Sequence, residues 1–217
     1  MLQGVIFDLD GTLVDTMPIW EATIAEVFTA GGFPYNREIY NRIMRAPIDQ
    51  VAEELKQEFG LSANVEKMLA PLEQTFLRLV DSTKIEKTRG AETIIDALIA
   101  ANIPFAIASS SWHGVVDRLL AAVGWQDRFP LVVSGDDIGD DKPAPDIFSE
   151  AAKRLGCDTQ TCVVFEDAPK GVASAKAAGM KVIGIDDPRF ALDLSATNRI
   201  ITSFDQITVD DLKAMIN

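Results

Sequence analysis

Histidine occurs once in this 217-residue chain and cysteine twice. Cys157 and Cys162, four residues apart in between, match no metal-ligand spacing and no disulfide framework, and read as idle thiols of a reducing compartment. Basic residues are also scarce. Lys and Arg number 20 against 33 Asp and Glu, a net charge of −13. A surface of that sign repels phosphate backbones, which excludes a general nucleic-acid binder. A small anionic substrate remains open, provided that the site supplies a local cation. Long apolar runs are missing as well. The most apolar stretch, Ala91 to Ser109, is broken by Asp96, Asn102 and Pro104, so no membrane span is expected. The N-terminal residues reach a charge at Asp8, with neither a basic start nor an apolar stretch of signal-peptide length. The expectation is a soluble cytoplasmic protein. Internal repeats and low-complexity tracts are not seen. What remains is 47% apolar and 24% charged, an ordinary globular balance in a chain long enough to bury a sizeable core.

Short β-branched runs recur, each leading into a helical pattern. They are Gly4 to Asp8, Pro104 to Ser109, Phe129 to Ser134, Thr161 to Glu166 and Met180 to Ile185, with a short sixth at Arg199 to Thr202. The runs are almost continuously apolar, as in strands covered on both faces of a parallel sheet. Helical spacing spans Ala91–Ala101, Gly114–Val123, Pro145–Leu155 and Pro169–Ala178, and Gly124, Gly156 and Gly179 stand where three of these helices should stop. The alternation predicts an α/β fold with a doubly wound parallel sheet. One segment departs from it. Between Thr16 and Thr83 no strand pattern appears, and Glu21–Ala30, Val51–Phe59 and Val65–Val80 carry helical spacing. The expected organisation is a core of residues 1–15 and 86–217, with residues 16–85 as an all-helical insert.

In open parallel sheets, ligands bind beyond the carboxyl ends of the strands. The first run ends in Asp8 and Asp10, which alternate around Leu9, and the fourth ends in Glu166 and Asp167. If these strands are neighbours, four carboxylates converge. Two like charges ~4 Å apart repel by roughly 4 kcal/mol at an effective dielectric of 20. Either some stay protonated or a cation joins them. A hard divalent ion suits such oxygens, and Mg²⁺ in particular binds one to three carboxylates beside waters and a substrate phosphate. Loop capping on an acidic protein is the alternative for each pair. The second run ends Ser109-Ser110-Ser111, a set of hydroxyls and amides before a helix that either binds an anion or caps the helix. Lys142, stiffened by Pro143 and Pro145, either balances phosphate charge or pairs with Asp140 or Asp141 on the surface.

Together these segments are read as a family. Phe7-Asp8-Leu9-Asp10-Gly11-Thr12-Leu13-Val14-Asp15 resembles the first motif of the haloacid dehalogenase superfamily. Ser109 ending a strand resembles the second, Lys142-Pro143 the third and Glu166-Asp167 the fourth. A helical insert straight after the first motif is similar to the first cap class, near β-phosphoglucomutase and the sugar-phosphate phosphatases, so the resemblance implies a Rossmann-like catalytic core of residues 1–15 and 86–217 with residues 16–85 inserted as an all-helical cap domain. The resemblance implies Asp8 as nucleophile and Asp10 as general acid/base. It implies Mg²⁺ on Asp8, the Asp10 carbonyl and Asp167, with Glu166 bound directly or through water. It implies phosphate held by Ser109, Ser110 and Lys142. Asp15, Gly171, His113 and Asp136, Asp137, Asp140 and Asp141 are expected to be bystanders, Asp141 orienting Lys142 at most.

The expected activity is Mg²⁺-dependent hydrolysis of a small phosphorylated metabolite, a sugar phosphate first. The alternative is a β-phosphoglucomutase-type mutase. A haloacid dehalogenase would lack Asp10, and a phosphoaspartate receiver would lack the helical insert. In the mutase a histidine early in the first cap helix couples closure to the acid/base aspartate. The matching position here is Trp20, which has only an indole N–H to donate and reads as an apolar wall or a packed core residue. Arg45, and with it Arg42, are candidate cap-side substrate contacts. No nucleic-acid or membrane partner is expected, and the protein is expected to be a monomer.

Overall fold

The computed structural model describes residues 1–216. Six strands form one parallel sheet: β1 (Gly4–Phe7), β2 (Phe105–Ser109), β3 (Val132–Ser134), β4 (Cys162–Glu166), β5 (Lys181–Ile185) and β6 (Arg199–Ile201). Their order across the sheet is β3-β2-β1-β4-β5-β6. The chain winds outward from β1 in one direction, then returns and winds outward in the other. The sheet is therefore doubly wound, and the reversal lies between β1 and β4, where α/β sheets open a crevice. β1, β2 and β4 are buried along their whole length, which accounts for their unbroken apolar runs.

Side chains alternate across the sheet. Val5, Phe7, Phe105, Ile107, Val163 and Phe165 face one side, against α6 (Ala91–Ala100), α7 (His113–Ala122) and α10 (Val209–Ile216). Phe7 stacks on Phe165 with centroids 5.1 Å apart, and Phe129 meets Phe7 edge-on at 6.5 Å. Ile6, Ala108, Val164 and Val182 face the other side, against α8 (Asp146–Leu155) and α9 (Pro169–Ala177). The third strand begins later than its sequence run, because Phe129 turns into the core and Pro130 has no N–H for the ladder. The final helix, α10, carries no comparably clear sequence signal and was not anticipated.

Between β1 and α6 the chain is helical, with no strand among the described residues: α1 (Met17–Ala30), α2 (Arg37–Ile43), α3 (Ile48–Glu58), α4 (Val65–Leu69) and α5 (Leu72–Ser82). Two of these were misjudged from spacing. The run Val65–Val80 divides at Pro71, whose ring cannot continue α4, and α2 is a separate short helix whose N-cap Asn36 accepts a hydrogen bond from the Ile39 amide. Ile24, Phe28, Tyr40, Ile43 and Leu55 build a hydrophobic core of their own among these helices. The connections to the sheet run side by side: the Asp15 amide donates to the Glu86 carbonyl and the Thr88 amide to the Leu13 carbonyl, both at 2.9 Å. α5 reaches back to the sheet layer, where Phe76 and Val80 join the larger core.

Candidate active site

The register of β1 on β4 pairs Phe7 with Phe165, so both chains leave the sheet together. Asp8 and Glu166 follow at once, and Asp167 one residue further. All three carboxylates are buried, at 6%, 1% and 5% exposure. Lys142 enters from the loop after β3 and is 2% exposed. Its ammonium lies 2.6 Å from an Asp8 oxygen and 2.7 Å from Glu166 Oε1, over the Phe148 ring. The surface pairing with Asp140 or Asp141 is thus not formed by the Lys142 side chain. Asp141 instead accepts the backbone N–H of Lys142 at 2.7 Å and the Ser110 hydroxyl.

One ammonium against three buried carboxylates leaves an excess of negative charge. Burial, with Glu166 and Asp10 nearby, raises the Asp8 carboxyl to about 8 despite Lys142. Burial, then Glu166 and Asp8, likewise hold Asp167 well above the usual carboxylate range. The flanking hydrogen bonds are few: Thr12 donates to Asp167 at 3.2 Å and the Ala168 amide to Glu166 Oε2 at 2.7 Å. Among the described residues no three His, Cys, Asp or Glu side chains are gathered into a preformed metal cage. The donor set nevertheless fits Mg²⁺, which keeps several waters and takes one or two carboxylates rather than a closed protein shell. The backbone is cut to these groups. A Cβ on Gly11, at φ 79°, would strike the Asp167 carboxylate, and one on Gly171 would strike that of Glu166.

Asp10 is half-buried and fully engaged. One oxygen accepts from Thr16 Oγ1 and Trp20 Nε1, both at 2.8 Å, and the other from Ser111 Oγ at 2.9 Å and Ser109 Oγ at 3.3 Å. The sequence reading did not find the Trp20 bond. Trp20 was weighed as wall or core; it stacks on Phe76 with centroids 4.0 Å apart and also points its one donor at Asp10. Thr12, Thr16 and Ser111 were missed too, although each lies within or beside a segment already singled out. Replacing Trp20 with Phe keeps the stack and removes the donor. The expected result is a kcat up to about tenfold lower with KM little changed, because a hydrogen bond contributes roughly 0.5–1.5 kcal/mol. Steady-state kinetics at saturating metal checks it, and an equal rise in KM would reduce Trp20 to a packing role.

A cavity of about 230 Å³ lies over these groups. Asp8, Asp10, Ser109, Ser110, Lys142 and Asp167 line its floor. Trp20 is on the wall, but Arg45 is not: it is exposed, while its neighbour Met44 turns inward. Arg42 pairs with Glu54 and Glu58 at 3.0 and 2.9 Å on the outer face of α3. Neither arginine is brought to the floor groups. His113 meets Asp137 at 3.2 Å, and Asp15 pairs with Arg189 at 2.7 Å.

A family model of haloacid dehalogenase-like hydrolases matches residues 5–185. The chain belongs to that family. It is 31% identical over 195 residues to the fructose-1-phosphate phosphatase YqaB of Escherichia coli, spanning 84% of this chain and 95% of that one. It is 30% identical over 194 residues to a probable pseudouridine-5'-phosphatase of Drosophila melanogaster, spanning 86% and 82%. The crystal structure of β-phosphoglucomutase from Clostridium difficile superposes with a TM-score of 0.85, covering 100% of this chain and 98% of that one, at 21% identity. That last likeness shows the fold. Family and relatives make this chain a phosphoric monoester hydrolase acting on phosphorylated metabolites. No helix among the described residues is long and apolar enough to cross a membrane.

Proposed function

We propose that this enzyme is a Mg²⁺-dependent phosphatase of a small phosphorylated metabolite, a sugar phosphate first, working through an aspartyl phosphate on Asp8. The observation that carries the reading is the buried Asp8–Lys142–Glu166 contact with Asp10 two residues along the same chain. An Asp8 oxygen attacks phosphorus and the bond to the alcohol breaks. Asp10 gives the departing alcohol its proton. It then takes a proton from water, whose oxygen attacks phosphorus and releases Asp8 and phosphate. The four donors around Asp10 hold that carboxyl in place for both transfers. Lys142, with the Ser109 and Ser110 hydroxyls turned from their present partners, holds phosphate oxygens. Asp8, Asp167 and the Asp10 carbonyl, with Glu166 directly or through water, would hold Mg²⁺, whose positive charge would let a carboxylate approach a phosphate.

Residues 16–85 serve as a cap on the paired connections at Leu13–Asp15 and Glu86–Thr88, opening for substrate and closing to exclude water. Trp20 can donate a hydrogen bond but cannot relay a proton, which favours water over a sugar as acceptor and hence hydrolysis over mutase chemistry. The protein acts as a cytoplasmic monomer. Phosphate release from hexose and pentose phosphates, assayed with Mg²⁺ and with chelator, tests the proposal. Release with Mg²⁺ and none in chelator is expected, without any bisphosphate activator. Full turnover in chelator removes the metal, and interconversion of sugar phosphates without free phosphate favours the mutase.

A further inference from the structure

The cavity has two unlike halves. Its floor is charged, as described. Its cap-side wall is formed by Trp20, Ile24, Met44, Ile48 and Leu72, joined from the sheet side by Trp112. None of the six carries a charge, and the only polar hydrogens among them are indole N–H groups. That of Trp20 is committed to Asp10. The other polar side chains lining the cavity, Ser111, Asp141, Glu166 and Lys170, all come from the sheet layer, and of these Ser111 is held by Asp10 and Glu166 by Lys142. The two arginines that could have gripped hydroxyls or a second phosphate are turned out to solvent or to α3. Beyond Trp112 the neighbouring groove is lined by Asp49, Glu53, Glu66 and Glu73, a surface that repels a further anion.

A bare sugar phosphate meets this wall badly. Each hydroxyl turned toward the cap would lose water and find no partner, at a cost that grows with every group buried. An apolar ring meets it well, since indoles and aliphatic side chains gain from covering a flat face. Resting on the phosphatase reading above, we propose that the cap wall selects phosphate monoesters whose alcohol carries a planar apolar substituent, such as a ring attached to the phosphorylated sugar. Trp112 and Ile48 are then specificity-determining residues, and the phosphate stays on the floor.

Matched pairs isolate the ring from the rest of the ester. Ribose 5-phosphate is compared with phenyl β-riboside 5-phosphate, and glucose 6-phosphate with phenyl β-glucoside 6-phosphate, on the full-length enzyme with Mg²⁺. The expected result is a kcat/KM at least about tenfold higher for the ring-bearing member of each pair, the scale on which apolar pockets discriminate. Trp112→Ala and, independently, Ile48→Asn should narrow that ratio at least about threefold, on the same scale of one apolar contact. Trp112 packs against both hydrophobic cores, so Ile48→Asn, at the half-exposed start of α3, keeps the test alive if the first variant fails to fold. Equal kcat/KM within both pairs, or a preference for the bare sugars, overturns the inference while leaving the phosphatase intact. No phosphate release from any of the four esters, nor from p-nitrophenyl phosphate, defeats the phosphatase reading instead.

Discussion

Asp8→Asn is expected to abolish phosphate release and, without metal, to make the protein more stable. The first effect follows from the proposed chemistry: an amide cannot displace the alcohol, and no covalent phosphate can be trapped. The second follows from burial. The Asp8 carboxyl titrates at about 8 in the folded protein against 3.8 for the unperturbed group. Below 3.8 it is protonated in both states and contributes nothing. Between 3.8 and 8 the unfolded chain has lost the proton and the folded one keeps it. Stability therefore falls as pH rises through that window, with a limiting slope of about 1.4 kcal/mol per pH unit. Asparagine removes this dependence. Its melting temperature in chelator should exceed that of the parent by several degrees at pH 8, and by less at pH 5, at about 2–4 °C per kcal/mol for a chain of this size. Adding Mg²⁺ should raise the parent more than the variant. Parallel thermal scans at both pH values, with and without Mg²⁺, measure it. Near-normal turnover by Asp8→Asn ends the covalent reading, and an unchanged pH dependence of melting ends the electrostatic one.

Lys142→Met should do the opposite to stability. The methionine fills most of the space over Phe148 but leaves Asp8 and Glu166 buried without their cation. Removing one partner from a buried ion pair costs roughly 3–5 kcal/mol. The melting temperature should fall by about 6–20 °C on the same scaling. Because the Asp8 carboxyl holds its proton at pH 5 and is losing it at pH 8, the deficit should be smaller at pH 5 than at pH 8. Turnover should fall by about 10²–10³-fold, the scale of losing a charge-stabilising group from a water-excluded site. Lys142→Arg keeps the charge in a larger planar head and should fold better than Lys142→Met while remaining impaired. Denaturation and phosphate release on the three proteins decide it. A loss of under 1 kcal/mol for Lys142→Met would mean that the cation does not balance the carboxylates.

Much of the core could be read in one dimension because its signals are local. A strand buried on both faces must be apolar throughout, and the carboxylates that break that rule at its end mark where the chain leaves the sheet. Asp8 after Phe7 and Glu166 after Phe165 are of this kind. The helical insert was legible only as a class. Helical spacing showed that residues 16–83 contain helices, but it joined α4 to α5 across Pro71 and passed over α2. Arg45 and Arg42 are candidate substrate contacts by sequence, with a solvated helix face as the alternative for each. Which side of a helix meets the cavity depends on how that helix packs, and here Met44 faces inward while Arg45 does not.

By itself, then, the sequence determined the parallel α/β core, the presence of the helical insert and the chemical types at the strand ends, since each rests on periodicity or on neighbours in the chain. Distances between remote residues were left to the tertiary structure. Lys142 lies 134 positions from Asp8, and only the order of the strands decides whether its ammonium meets that carboxylate or the acidic loop beside it. Trp20 could have been a wall, a core residue or a donor. The stacking of α1 on α5 made it all three, by laying its ring on Phe76 and aiming its N–H at Asp10. The character of the cavity wall is tertiary for the same reason: Trp20, Ile24, Met44, Ile48, Leu72 and Trp112 come from separate parts of the chain, and only packing sets them opposite the charged floor.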